Sequence, residues 1–135
     1  MQTEIIFSEE DKELQAWRLE RKGDLETANR LYTELLEEYY ETARLYHRRG
    51  KNNFHLKRFT EARNDFDLAI RYCKTKAEYY GSRGVLHLKQ KKYPEAERDL
   101  RYASYLSKGR LTFNWSLGNL YYDLGNYKEA VKKLK

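Results

Sequence analysis

One cysteine and one proline stand in a chain of 135 residues, and each scarcity closes off a class of protein. A single thiol forms no intramolecular disulfide, so the fold is not a small secreted scaffold held by bridges. A single proline beside seven glycines is too little for a collagen-like chain or a Pro/Gly-rich disordered one. Uninterrupted apolar runs stop at two or three residues, as at Ile5 to Phe7, whereas a membrane-spanning helix needs about 20. No apolar core follows basic residues near Met1, as a secretory signal requires. These absences predict a cytoplasmic protein with no membrane segment, and the length predicts one domain.

Charge is abundant: 36% of the residues are charged beside 40% hydrophobic ones, a mixture that supports a folded core. Residues 1 to 42 hold five Lys/Arg against 12 Asp/Glu, a balance of −7, while residues 43 to 135 hold 22 against nine, a balance of +13. A basic body steers acidic peptides or nucleic acid toward itself, or the acidic N-terminal segment of a second copy. A merely solvating helical surface is the alternative.

An internal repeat organises the rest. Ala28, Ala62, Ala96 and Ala130 are spaced by 34 residues, and the same register stacks Gly50, Gly84 and Gly118. Leu25, Phe59, Tyr93 and Tyr127 precede each Ala by three, and Tyr32, Phe66, Leu100 and Leu134 follow it by four. Spacings of three and four put these side chains on one helical face, and the 34-residue interval marks a recurring helix-turn-helix unit that must stack to bury that face. The short turns fall at Gly23 and Asp24, Lys57 and Arg58, Lys91 and Lys92, and Gly125 and Asn126, with Pro94 starting a helix after the third. Ser8 and Asp11 have the spacing of a capping box. Eight helices in antiparallel pairs are expected, with residues 1 to 7 as an N-terminal tail and 8 to 135 as a single domain. Its units are 9 to 42, 43 to 76, 77 to 110 and a truncated 111 to 135.

The pattern resembles the tetratricopeptide repeat family over about residues 9 to 135, best in Ala43 to Lys76 and Ala77 to Arg110. The first unit departs from it with Lys12 where an aromatic is usual, and the closing Pro is replaced by Tyr40, Lys74 and Lys108. The resemblance implies an all-α fold, a right-handed helical solenoid of about four antiparallel helix-turn-helix repeats.

Two central units carry a further signal. Arg49 and Asp65, and Arg83 and Asp99, recur at one interval, whereas Gln15 and Leu31, and Leu117 and Lys133, occupy those places in the outer units. Arg and Asp thus come and go together, which predicts an ion pair between the two helices of each central unit. An Arg reaching to ligand phosphate is the competing reading. Enzyme chemistry has little to stand on: His47, His55 and His87 have no metal-ligand spacing, Cys73 has no activating neighbour, and no Gly-rich phosphate loop is present. No metal, cofactor or catalytic residue is expected.

The resemblance further implies that first helices line a concave groove. Carried over by position, the ligand-binding candidates are Arg44, His47, Arg48, Lys51 and His55 of the second unit, Ser82 and Val85 of the third, and Trp115, Asn119 and Tyr122 of the fourth. An acidic entrance with Glu10, Glu13 and Glu20 would give way to a cationic strip with Phe54 in it, then to an apolar floor with Gly81, Val85, Leu88 and Trp115. Family members that clamp the carboxyl tail of large heat-shock chaperones use Lys and Asn in one first helix, Asn in the next, and Lys with Arg in the third. The corresponding places here hold Glu13, Trp17, Arg48, Glu78 and Ser82, or one unit later His47, Lys51, Ser82, Thr112 and Ser116. Neither register keeps that clamp.

The expected function is a non-enzymatic scaffold binding a peptide or protein segment with acidic and aromatic residues. Nucleic-acid binding and homotypic assembly are the alternatives, nucleic acid being the less favoured partner. The last unit stops at Lys135 without a polar cap, so the chain reads either as a piece of a longer array or as one whose end, with Val131 and Leu134, meets the acidic start of another copy head to tail.

Overall fold

A computed structural model describes residues 9–126 together with 129 and 132. Seven helices follow one another, α1 (Glu9–Lys22), α2 (Leu25–Glu38), α3 (Ala43–His55), α4 (Phe59–Tyr72), α5 (Ala77–Lys89), α6 (Tyr93–Leu106) and α7 (Leu111–Asp123), with no strand among the described residues. The expected tail, Ser8 of the capping box and most of the eighth helix, including Tyr127, Ala130, Val131 and Leu134, lie outside the described residues.

One turn geometry follows α1, α3, α5 and α7. Gly23 takes φ +89°, and the same left-handed backbone recurs every 34 residues at Lys57 (63°), Lys91 (61°) and Gly125 (77°). The next N–H, of Asp24, Arg58, Lys92 or Asn126, donates five residues back to Leu19, Asn53, His87 or Tyr121, at 2.8–2.9 Å. This bond satisfies a carbonyl that the helix end would leave open. Asp24 then caps α2 by accepting from the Thr27 N–H at 3.2 Å, and Pro94 sits in the first turn of α6, where its missing N–H costs nothing.

The chain divides after Asp65, inside α4, into two compact units. In the first, α2 packs against both α1 and α3 and buries Ala28, Tyr32, Leu35 and Leu36, with Ala16 of α1 and Leu45 of α3 also inside. In the second, α6 packs against both α5 and α7. Ala96 and Leu100 of α6 cluster with Leu117, Leu120 and Tyr121 of α7, and Ala77, Ala103 and Phe113 form a second cluster from α5, α6 and α7. Close approach explains two glycines here. A Cβ on Gly84 would lie 2.8 Å from Leu100 Cγ, and one on Gly81 would collide with the Phe113 ring. Each is a place where a larger side chain overpacks the core.

Candidate functional site

The two central arginines are engaged by carboxylates. Arg49 Nη2 meets Asp65 Oδ1 at 2.7 Å and its Nε meets Oδ2 at 3.0 Å. Arg83 Nε meets Asp99 Oδ2 at 2.7 Å and its Nη2 meets Oδ1 at 2.9 Å. Both are parallel two-point pairs, the geometry in which a guanidinium satisfies a nearly buried carboxylate. The remaining arm points the other way along the chain. Arg49 Nη1 donates to Thr33 Oγ1 at 3.2 Å and Arg83 Nη1 to Asp67 Oδ1 at 3.0 Å, each partner sixteen residues earlier. Each Arg thus joins its own second helix to the preceding one. The bond to Asp99 holds Arg83 even more firmly protonated, against the opposing effect of burial.

A buried amide chain, which the repeat pattern does not announce, runs through the first unit. Asn52 Nδ2 donates to Glu20 Oε1 at 3.0 Å and to Asn29 Oδ1 at 2.9 Å. Asn29 Nδ2 donates to Asn53 Oδ1 at 3.0 Å, and Asn53 Nδ2 to Asp65 Oδ2 at 3.0 Å. The chain links α1, α3, α2 and α4. Its sequence signal is the placing of three asparagines inside helices, where their weak propensity needs a compensating role. His87 occupies in the second unit the register place of Asn53. Its Nε2 stands 3.6 Å from Asp99 Oδ2, and its Nδ1 is buried without a hydrogen-bond partner. Burial lowers the His87 pKa despite the attraction of Asp99, so the ring is neutral at pH 7. Burial likewise raises the Tyr32 phenol, with Glu20 adding to the effect.

The first-helix faces differ between the units. On α3, Arg44 binds Glu13 of α1 through Nε to Oε1 at 2.8 Å and Nη2 to Oε2 at 2.9 Å, and Arg48 Nη1 lies 3.9 Å from Glu20 Oε2. The Arg44 bond lowers the Glu13 pKa against the contrary pull of burial, with Arg48 contributing. The acidic entrance and the cationic strip are therefore not successive zones: carboxylates about one repeat away interlock with the arginines and reduce the field they present. Lys51 and His55 remain exposed, and His47 is half-buried. Phe54, expected in the strip, packs on Phe59 with ring centroids 5.8 Å apart.

In the second unit Trp115 and Tyr122 of α7 are 55% and 61% exposed, joined by Leu111 at 64% and by Val85 of α5 at 36%. Leu111, Trp115 and Tyr122 share one helical face by their spacing. Asn119 is exposed and Ser82 half-buried. Two expected floor positions serve packing instead: Gly81 is covered by Phe113, and Leu88 packs against the cluster of Ala96 and Leu100. Glu78 is held by Arg110 Nη1 at 2.7 Å. Among the described residues there is no group of three His, Cys, Asp or Glu side chains suited to a metal, and no helix long and apolar enough to cross a membrane.

No curated protein matches the sequence significantly. Solved structures do match the fold. MamA superposes with a TM-score of 0.87 at 19% identity, over 94% of this chain and 74% of that one. The first tetratricopeptide repeat domain of Spaghetti (RPAP3), solved with the HSP90 peptide SRMEEVD, gives a TM-score of 0.82 at 20% identity, covering 87% of this chain and 93% of that one. YrrB, described as a tetratricopeptide repeat protein with an unusual peptide-binding site, gives 0.79 at 21% identity, over 93% of this chain and 65% of that one. These likenesses establish an all-α fold of the helical solenoid class. The tetratricopeptide repeat model itself matches residues 14–78 and 82–135, nearly the whole chain, and the four recurring turns described above fall inside those spans. The chain belongs to the tetratricopeptide repeat family.

Proposed function

We propose that the chain is a non-enzymatic protein-interaction module that binds a peptide or protein segment on its first helices. The observation that carries this reading is the α7 face, where Leu111, Trp115 and Tyr122 are more than half exposed although the packing of the repeat does not need them there. Large aromatics on a rigid helix are anchors of the kind that dominate binding energy. Val85 of α5 adds apolar surface in the same unit, and Asn119 and Ser82 supply groups able to bond a ligand backbone. In the first compact unit Lys51, with the weakly paired Arg48, offers a cation to an acidic side chain, and the exposed His55 ring adds a hydrogen-bonding group beside it. RPAP3 and YrrB, both similar in fold, are described with a bound peptide and a peptide-binding site, which supports a segment as the ligand class. Glu13 and Glu78 stand where a chaperone-tail clamp would need other residues, and both are engaged by arginines, so the reading is not extended to that tail.

Peptide display on the full chain tests it. Selected peptides should carry an aromatic or large apolar anchor, and Trp115→Ala or Tyr122→Ala should weaken them about tenfold or more with the circular dichroism unchanged. Lys51→Glu should weaken acidic peptides alone. Selected ligands indifferent to all three substitutions would move the site elsewhere, and a failure to select any would remove the reading.

A further inference from the structure

The second unit has another exposed aromatic surface, away from the positions assigned above, on α6. Arg98, Arg101, Tyr102 and Tyr105 follow one another at helical spacings of three, one and three, so they form a single stripe. All four are exposed, Tyr105 at 77% and Tyr102 at 41%. The two tyrosine rings are stacked, with centroids 6.2 Å apart and planes 20° from parallel. Tyr80 of α5 meets Tyr102 edge-on at 4.6 Å. Between α5 and α6 this array borders an open cleft of about 520 Å³ lined by Tyr80, Tyr102, Arg83, Arg98 and Arg101, with Asp99, paired to Arg83, also in its wall.

The fold explains only part of it. Arg83 is held by Asp99 and Asp67, and Arg101 by Glu97 at 2.9 Å and by the Tyr121 hydroxyl. Arg98 has no ion pair among the described residues, and Tyr102 and Tyr105, both exposed, belong to neither of the two buried clusters described above. Residues 66 to 135 hold 15 Lys/Arg against seven Asp/Glu, a balance of +8, and Lys91 and Lys108 stand exposed at the two ends of α6.

We infer that this α6 surface binds single-stranded nucleic acid. Unpaired bases stack on Tyr102 and Tyr105, and Arg98 with the flanking lysines meets the phosphates. The choice of ligand follows from using both features at once. A carboxylate-rich peptide uses the cations and leaves the flat ring faces idle, and a proline-rich peptide does the reverse. An unpaired base joined to a phosphate uses a π-face and a cation together, and the stripe carries two arginines and two tyrosines on one face of α6. Stacking tolerates any base, so the site is indifferent to sequence. This inference is independent of the peptide reading, since it uses neither α7 nor Val85.

Fluorescence anisotropy of the full chain with a labelled oligouridylate of about 16 nucleotides tests it. Binding should fall steeply between about 50 and 200 mM salt. Tyr105→Ala, at the most exposed position, should weaken it about fivefold or more. Arg98→Gln should weaken it and lessen the slope of log affinity against log salt by about 0.7, one single-strand phosphate contact. Trp115→Ala should leave it unchanged, which separates this site from the peptide site. Four results would each overturn the inference: no binding at low salt, a duplex of equal length bound as well as the single strand, affinity insensitive to Tyr105→Ala, or equal displacement of the oligonucleotide by polyglutamate.

Discussion

Arg83 and Asp99 meet fork to fork, Nε to Oδ2 at 2.7 Å and Nη2 to Oδ1 at 2.9 Å, with only 6% of the Asp99 side chain exposed. A carboxylate so placed depends on its partner. Arg83→Ala should therefore cost on the order of 3 kcal/mol by stranding Asp99, and Arg83→Met with Asp99→Leu should cost clearly less than the two single changes added. Asp67→Asn, at a half-exposed partner, should cost less than about 1 kcal/mol. Urea unfolding of the full cycle gives these values, and additive losses would mean that the pair contributes nothing as a pair.

Gly81 lies where a Cβ would collide with the ring of Phe113. Gly81→Ala should destabilise by about 1–3 kcal/mol through overpacking, although alanine favours a helix by about 1 kcal/mol over glycine. Adding Phe113→Leu should recover part of the loss relative to Phe113→Leu alone. Thermal unfolding of the four proteins checks this coupling.

The left-handed turn residues give a prediction of opposite sign. Lys57 and Lys91 are exposed non-glycine residues at φ near +60°. Lys57→Gly and Lys91→Gly should each stabilise by about 0.5–1 kcal/mol, while Gly23→Ala should destabilise by about as much. Urea midpoints that move the same way in all three variants would contradict the argument.

His87 makes stability depend on pH. Its pKa in the fold is depressed by burial, so on acidification the unfolded chain takes up a proton at this site before the folded one does. The sign follows: stability is full above the unfolded pKa of about 6.5 and declines as pH falls below it. Glu13 and Glu78, both held low by arginines or backbone bonds, contribute stability that is lost only below their ordinary value of 4.5. His87→Asn installs the residue that donates to Asp65 in the preceding repeat, and should shrink the fall in melting temperature between pH 7.5 and about 5.5. An unchanged fall would place the titrating group elsewhere.

Sequence alone determined what recurs. The 34-residue spacing of Ala28, Ala62 and Ala96 and the turn positions from Gly23 to Gly125 mark helices and turns, because local hydrogen bonding and helical periodicity repeat with the residues that cause them. The joint appearance of Arg and Asp in two units pointed to the contacts that join Arg49 to Asp65 and Arg83 to Asp99 for the same reason. Tertiary structure decided what does not recur. That Arg44 is neutralised by Glu13, that Asn29, Asn52 and Asn53 form one buried chain, and that Phe113 covers Gly81 all depend on which side chain of one repeat lies against which of the next. No period encodes such pairings, since the partners differ from repeat to repeat and their charges cancel only when the helices are packed. The exposure of Trp115, Tyr105 and Tyr122 was equally a tertiary result: an aromatic in a helix reads alike in sequence whether a neighbouring helix covers its ring or water does.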